Sequence, residues 1–226
     1  MIVTIDGPAG AGKSSAARRL ANELGFEFLD TGAMYRAVTW AALNKKIDVR
    51  DTNAVYQLAA QIKIEFSDNR VLVDGRDVSQ EIRDPSVTAQ ISSIADNLRV
   101  RGLLVDQQRA IASKGDFVCE GRDQGTVAFP RADCKVFLTA SPQSRAQRRV
   151  AELNESGQTA QFQEILDQQN DRDRRDSIRP IGNLIKAHDA IEFRTDELTL
   201  DQVVTQLKLI VLQRIGDTGR DLHTTD

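Results

Sequence analysis

Two cysteines in 226 residues, Cys119 and Cys134, are too few for a disulfide framework, and each lies in a hydrophobic run of strand character. Two thiols alone make no zinc site either, and two histidines, His188 and His223, exclude a multi-histidine metal centre. No apolar run approaches the ~20 residues that span a bilayer, and the chain opens directly on a β-rich run without a leader-like stretch. Net charge is −3, so no bulk basic field recruits nucleic acid or a membrane surface. An aromatic-rich strand of the kind that stacks RNA bases is also missing. These absences set the expectation of a soluble cytoplasmic protein with no membrane and no nucleic acid polymer as partner. The remainder is an ordinary globular balance, 40% hydrophobic and 28% charged, which argues against wholesale disorder. The length suits one domain with small inserts.

Residues 2–5 form a short β-rich run ended by Asp6-Gly7-Pro8. Good helix formers follow from Lys13 to Leu24, with Ala16, Ala17, Leu20 and Leu24 on one face and Gly25 as C-cap. A second strand is predicted at 26–29 and helices at 33–43 and 52–62. Residues 63–66 and 70–73 alternate with period two around Ser67-Asp68-Asn69, a hairpin pattern, and Asp74-Gly75-Arg76-Asp77 reads as a second turn. Apolar residues then return at helical spacing from 86 to 113. Further strands are predicted at 116–120, 134–138 and 190–193. Ser141-Pro142 marks a helix start, and Thr199-x-x-Gln202 a capping box opening a last helix to 215. Residues 160–179 are polar and arginine-rich with few apolar anchors, which predicts a mobile, solvated helix. The tail at 216–226 is expected to be flexible. Short apolar strands alternating with helices indicate an α/β fold, a parallel sheet covered on both faces.

Gly7-Pro8-Ala9-Gly10-Ala11-Gly12-Lys13-Ser14 fits the pattern G-x-x-x-x-G-K-[ST] at every fixed position, after a strand and before a helix. Glycine lets the backbone curl so that successive N–H groups face phosphate oxygens, and the helix start adds its positive dipole end. Lys13 supplies an ammonium to the β- and γ-phosphates, and Ser14 a hydroxyl to Mg²⁺. The expected ATP site is Gly7 to Ser14 with Ser15. Such a P-loop does not say what receives the phosphate.

Four other segments bear on the acceptor. Asp30-Thr31-Gly32-Ala33-Met34-Tyr35-Arg36 follows the second strand, at the sheet edge where open α/β folds bind ligands, and Arg36 can grip a phosphate as a fork. Glu120-Gly121-Arg122-Asp123-Gln124-Gly125-Thr126 places an Arg-Asp pair between glycines at another strand end. Arg172, Asp176 and Arg179 share one helical face by their spacing of four and three, as on a closing lid. Arg145-Ala146-Gln147-Arg148-Arg149 either lends an arginine to ATP, with Arg148 the candidate, or is a solvated basic face.

On these residues the chain resembles the bacterial cytidylate kinases, along nearly its whole length. The motifs D-[ST]-G-x-x-Y-R, E-G-R-D-x-G-T and R-D-x-x-D-S-x-R stand here at 30–36, 120–126 and 172–179, in the family's order. The family pattern has Pro-Leu after the lid, where this chain has Asn183-Leu184 and a proline earlier, at Pro180. The resemblance implies transfer from ATP, with Mg²⁺, to CMP or dCMP by a monomer. It implies a five-stranded P-loop core of order 2-3-1-4-5, a monophosphate-binding region at 31–98 with a β insert at 63–82, and a helical lid at 157–180. It also implies that Arg36, Arg122 and Arg179 hold the acceptor phosphate. Thr31, Ser92, Arg101 and Asp123 would surround cytosine, and Arg172 and Asp176 would face the ribose. Lys13, Arg122, Arg172 and Arg179 are the expected catalytic set. Cytosine offers an amino donor beside two acceptors, which a carboxylate and an arginine complement. Another small P-loop kinase (for shikimate, dephospho-CoA or adenylate) and a slow nucleotide switch are the competing possibilities. The Arg101/Asp123 pair and the insert speak against the first, and the lack of an N-K-x-D motif against a guanine-reading version of the second.

Overall fold

The fold is given by a computed structural model that describes residues 1–67, 70–155 and 157–218. In chain order the elements are β1 (Ile2–Asp6), α1 (Lys13–Leu24), β2 (Glu27–Asp30), α2 (Thr31–Asn44), α3 (Thr52–Gln61), β3 (Ile64–Ser67), β4 (Arg70–Val73), β5 (Arg76–Asp77), a 3-10 turn (Glu81–Arg83), α4 (Pro85–Ala95) and α5 (Leu98–Ala112). There follow β6 (Phe117–Gly121), a π-helical turn (Gln124–Ala128), β7 (Cys134–Thr139), α6 (Pro142–Glu155), α7 (Phe162–Ile178), β8 (Ile191–Arg194) and α8 (Leu200–Thr218). The chain divides into two units, 1–29 with 114–226, and 30–113. The predicted monophosphate region at 31–98 falls within the second. Of the predicted tail, Gly216 to Thr218 continue α8 and 219–226 lie outside the described residues.

The first unit is built on a five-stranded sheet of order β2-β6-β1-β7-β8, which numbered along the sheet's own strands is the expected 2-3-1-4-5. β1 runs parallel to both neighbours, Val3 lying opposite Val118 on one side and Cys134 on the other. Val3, Ile5, Val118, Val136 and Leu138 pack against Ala16, Ala17 and Leu20 of α1 and Val204, Leu207 and Val211 of α8. The alanines let α1 lie close, and each large aliphatic buried there contributes about 1.5–3 kcal/mol. Gly25 ends α1 with φ 69, a left-handed geometry that glycine adopts without strain. The capping box at α8 forms as its residues suggest: Thr199 N–H donates to Gln202 Oε1 at 2.9 Å and Gln202 N–H to Thr199 Oγ1 at 3.3 Å. Both cysteines are free and buried, in strands flanking β1. Burial pushes the Cys134 thiol up to about 11 and the Cys119 thiol further.

The second unit holds α2 to α5 and the antiparallel sheet β3-β4-β5. Ile64 pairs with Val73 and Phe66 with Val71, so the alternating pattern makes the hairpin, whose turn residues 68–69 lie outside the described set. The predicted second turn is tighter than expected, because Arg76 and Asp77 pair back onto β4 as a third strand. The helical run 86–113 is in fact two helices. Asn97 interrupts it, its side chain accepting from the N–H groups of Arg99 and Val100 as an N-cap. Helix α2 starts at Thr31 rather than 33, because Asp30 caps it by accepting from Ala33 N–H at 2.8 Å. In the first unit, α7 is less solvated than its composition suggested: Gln169 and Asp176 are buried. No described helix is long and apolar enough to cross a membrane.

Candidate active site

Strand β1 delivers the chain into the P-loop, where Gly7, Gly10 and Gly12 take φ values of 148°, 76° and 86°. Only glycine holds such angles without strain, and they curl Gly7 to Gly12 ahead of α1. Lys13 is buried, and its Nζ donates to the Pro8 carbonyl at 2.7 Å, across the same loop. Ser14 Oγ donates to Glu120 Oε1 at 2.7 Å, joining the first turn of α1 to the end of β6. Ser15 is exposed beside it.

Burial, and then the nearby charges of Arg122 and Arg172, pull Lys13 from 10.5 down to about 7, against the opposing pull of Glu120 and Asp6. A depressed lysine makes the native chain bind fewer protons than the unfolded one between those two values, so stability rises with pH there. A polyphosphate placed on this ammonium restores its charge. ATP binding at pH 8 is therefore expected to take up a proton, with the titrating group near 7. Calorimetry in buffers of different ionisation enthalpy, comparing the parent with Lys13→Met, measures this; equal buffer dependence in both would exclude Lys13 as the titrating group.

Helices α6 and α7 meet the P-loop through an arginine that the sequence did not single out. Arg145, almost wholly buried, donates from Nη1 to the Ala9 carbonyl at 2.8 Å and from Nε to the Ala140 carbonyl at 3.1 Å. Its partner is Asp173, at 2.6 Å, whose other oxygen accepts from the Ala9 N–H at 3.4 Å. Gln169 donates to the Arg145 carbonyl at 3.3 Å. Arg148, the predicted ATP contact, donates to Thr195 Oγ1 at 3.0 Å and to the Thr195 carbonyl. Thr195 Oγ1 lies 3.4 Å from the Ala11 carbonyl, so Arg148 reaches the loop at one remove.

A second cluster gathers around Asp176. Arg122 donates from Nε to Asp176 Oδ2 at 3.1 Å, and Arg179 from Nη2 to Oδ1 at 2.9 Å. Burial tends to raise this carboxyl, but Arg122, Arg179 and Arg172 together outweigh it and hold Asp176 below the usual carboxylate range. The Leu184 N–H donates to the Asp176 carbonyl at 2.8 Å, and Arg179 Nη1 to the Gly182 carbonyl at 3.4 Å. The segment holding Asn183 thus folds back onto the end of α7. Asp123, also buried, follows Arg122 and precedes the π-helical turn.

The second unit carries the remaining predicted residues. Arg36 donates from Nη2 to both oxygens of Asp30, at 2.9 and 3.2 Å, while its buried Nε has no hydrogen-bond partner. A donor buried without a partner is costly, and an anion there would satisfy it. Thr31 is buried as the first residue of α2. Arg101 is buried with its guanidinium 5.3 Å from the centre of the Tyr35 ring, and Nε donates to the Ala95 carbonyl at 3.3 Å. Ser92 is half-buried on α4, its carbonyl accepting from Asp96 N–H.

Sequence reasoning passed over Glu120, Arg145, Asp173, Asp30 and Asp6. Glu120 carried a signal, a carboxylate closing an apolar strand. Arg145 and Asp173 stood inside motifs already noted, and only the packing of α6 and α7 separates them from their neighbours.

A phosphate cradle alone serves hydrolases and switches as well. Here it shares its unit with two further arginines, Arg122 and Arg179, held on the Asp176 carboxylate. A family model described as Cytidylate kinase matches residues 3–213. A cytidylate kinase of Rhodopirellula baltica is 48% identical over all of this chain and 99% of its own length. One of Clostridium tetani is 44% identical over 97% of this chain and 98% of its own. Among solved structures, the shikimate kinase of Bacteroides thetaiotaomicron aligns at 14% identity over 94% of this chain and 98% of that one, with a TM-score of 0.48. The chain belongs to the cytidylate kinase family.

Proposed function

We propose that this enzyme transfers the γ-phosphate of ATP to CMP or dCMP, giving ADP and CDP or dCDP. The observation that carries this is the Arg122–Asp176–Arg179 cluster on the unit that holds the P-loop. A hydrolase attacks with neutral water and can use an arginine finger, but it has no acceptor phosphate to hold. A nucleotide kinase does, because its nucleophile is itself an anion that must be held against another.

In this mechanism Lys13 and the N–H groups of the P-loop hold the ATP phosphates. Arg36, Arg122 and Arg179 hold the acceptor phosphate, as the family resemblance implies. An acceptor oxygen attacks the γ-phosphorus as the bond to the bridging oxygen breaks, and ADP leaves with that electron pair. The acceptor is already ionised, so no side chain acts as general base. Arg172 adds positive charge near Lys13 as the transferring group becomes loose and metaphosphate-like. Residues 157–180 act as a lid that excludes water and suppresses hydrolysis. Asp123 accepts from the cytosine amino group, Arg101 donates to its acceptors, and Thr31 and Ser92 complete the base contacts, with Arg172 and Asp176 toward the ribose.

The donor set at Ser14 and Glu120, a hydroxyl and a carboxylate oxygen 2.7 Å apart, suits a hard oxygen-seeking cation. These two residues would hold Mg²⁺, directly or through water, and the cation would neutralise charge on the β- and γ-phosphates. We read the enzyme further as a cytoplasmic monomer, for which sedimentation velocity is the check on assembly.

ADP formation from ATP and Mg²⁺, with each nucleoside monophosphate added separately, tests the reaction. Strong stimulation by CMP and dCMP, weak by UMP and none by AMP or GMP is the expected pattern. Equal stimulation by all four bases would remove the cytosine assignment, and none by any would remove the acceptor site.

A further inference from the structure

Asp6 is the last residue of β1 and is not among the groups that touch phosphate in the mechanism above. Its side chain is buried, and both oxygens are used. Oδ1 accepts from the Gln124 N–H at 2.8 Å and Oδ2 from the Gly125 N–H at 2.7 Å. These are the first two residues of the π-helical turn, and the residue immediately before them is Asp123. The chain leaves β6 at Gly121, directly opposite Asp6 in the sheet, and the Asp6 carboxylate takes hold of it again three residues later. Between those points lie only Arg122 and Asp123.

The Asp123 carbonyl accepts from the N–H groups of Val127 and Ala128 at 2.8 and 3.2 Å, which closes the turn on itself. Within it, Gln124 Oε1 and Thr126 Oγ1 are buried without hydrogen-bond partners. The approach is also close. A Cβ on Gly125 would lie 3.3 Å from Asp6 Oδ2, 3.1 Å from Thr4 Oγ1 and 3.2 Å from Lys135 Cδ. A carboxylate taking two consecutive backbone N–H groups is a charge-assisted, bidentate contact, stronger and more directional than a neutral hydrogen bond.

We propose that Asp6 is a positioning residue for base discrimination, pinning the segment that carries Arg122 and Asp123 to the strand that carries the P-loop. The proposal rests on Asp123 reading the acceptor base. It assigns the precision of that contact to a residue that touches neither substrate. A site loosened by a fraction of an ångström loses discrimination first, because matched and mismatched bases differ by one or two hydrogen bonds.

Asp6→Asn tests it. The amide keeps the shape and one acceptor but turns an NH₂ toward a backbone N–H, which breaks one of the two bonds. The expected result is at least a tenfold fall in the ratio of kcat/KM for CMP over UMP, with KM for CMP raised and the dissociation constant for a fluorescent ATP analogue within about threefold of the parent. Asp123→Ala is measured alongside. Because Asp6 acts through Asp123, the double variant is expected to discriminate no worse than Asp123→Ala alone. Collapse of the ratio in Asp123→Ala but not in Asp6→Asn overturns the positioning role and leaves the base assignment standing. An unchanged ratio in both overturns the base assignment, and the positioning role with it. Gly125→Ala, which pushes the same turn from the other side with Asp6 intact, is expected to lower the ratio likewise and serves if Asp6→Asn fails to fold. An unchanged ratio in that variant, with the base assignment intact, also overturns the role.

Discussion

Lys13→Ala is expected to lower kcat by two to three orders of magnitude while the fold survives. The size follows from removing a preorganised charge that faces the transferring group in a water-poor site, typically worth about 10²–10³ in rate. The survival of the fold follows from burial. The native environment disfavours the ammonium, as its fall to about 7 records, so at pH 6 the native chain holds a charged group it tolerates poorly. Alanine removes that penalty. Against it stands the Pro8 carbonyl, which loses its donor at a cost of about 1 kcal/mol. The denaturation midpoint at pH 6 is therefore expected to stay level or rise even as turnover falls. Turnover within tenfold of the parent would remove Lys13 from the mechanism, and a collapsed midpoint would make it a structural lysine.

Gly7→Ala is expected to damage the fold itself, by more than about 4 kcal/mol, the range reached only by gross steric or burial errors. Gly7 has φ 148, and a Cβ there would run into the backbone carbonyl oxygen of Leu138. Leu138 belongs to β7, hydrogen-bonded to β1, and its side chain lies in the core against α1 and α8. Relief requires parting two central strands. Gly12→Ala is the control. Its φ of 86° is also left-handed, but a Cβ there has no neighbour within 4 Å, so its expected cost is the conformational penalty alone, about 1–2 kcal/mol. Chemical denaturation of the two variants reads the difference. Equal losses would mean that backbone angle and not collision sets the cost at Gly7.

The contrast between those glycines shows where the sequence is legible. The pattern at residues 7–14 announces a P-loop because its requirements are local: φ angles, a helix start, a lysine at a fixed offset. The same holds for the Thr199/Gln202 box and for the alternation that pairs Ile64 with Val73. The break between α4 and α5 was legible in principle, since asparagine is a strong N-cap. The apolar spacing runs through Ile94 and Leu98 without a gap, however, and periodicity masked the cap. What the sequence hides is partner choice between distant segments. Arg145 and Arg148 sit three residues apart with similar composition around them, yet one meets the P-loop carbonyl at Ala9 and the other Thr195. Helix α7 looked solvated because its buried residues are polar: Asp176 and Gln169 are inside because of arginine and backbone partners from elsewhere in the chain. Asp6 was read only as the end of a strand for the same reason, its two partners lying 118 and 119 residues away.

The two free thiols give the central sheet a built-in clock. Cys119 and Cys134 stand in the strands on either side of β1, buried and held in the unreactive protonated form. An alkylating reagent reaches neither until the layers packed on this sheet open, so the pace of native-state labelling measures how often they do. Any nucleotide that tightens the P-loop should slow that clock at both positions together, because both strands are fastened to the one strand that leads into it.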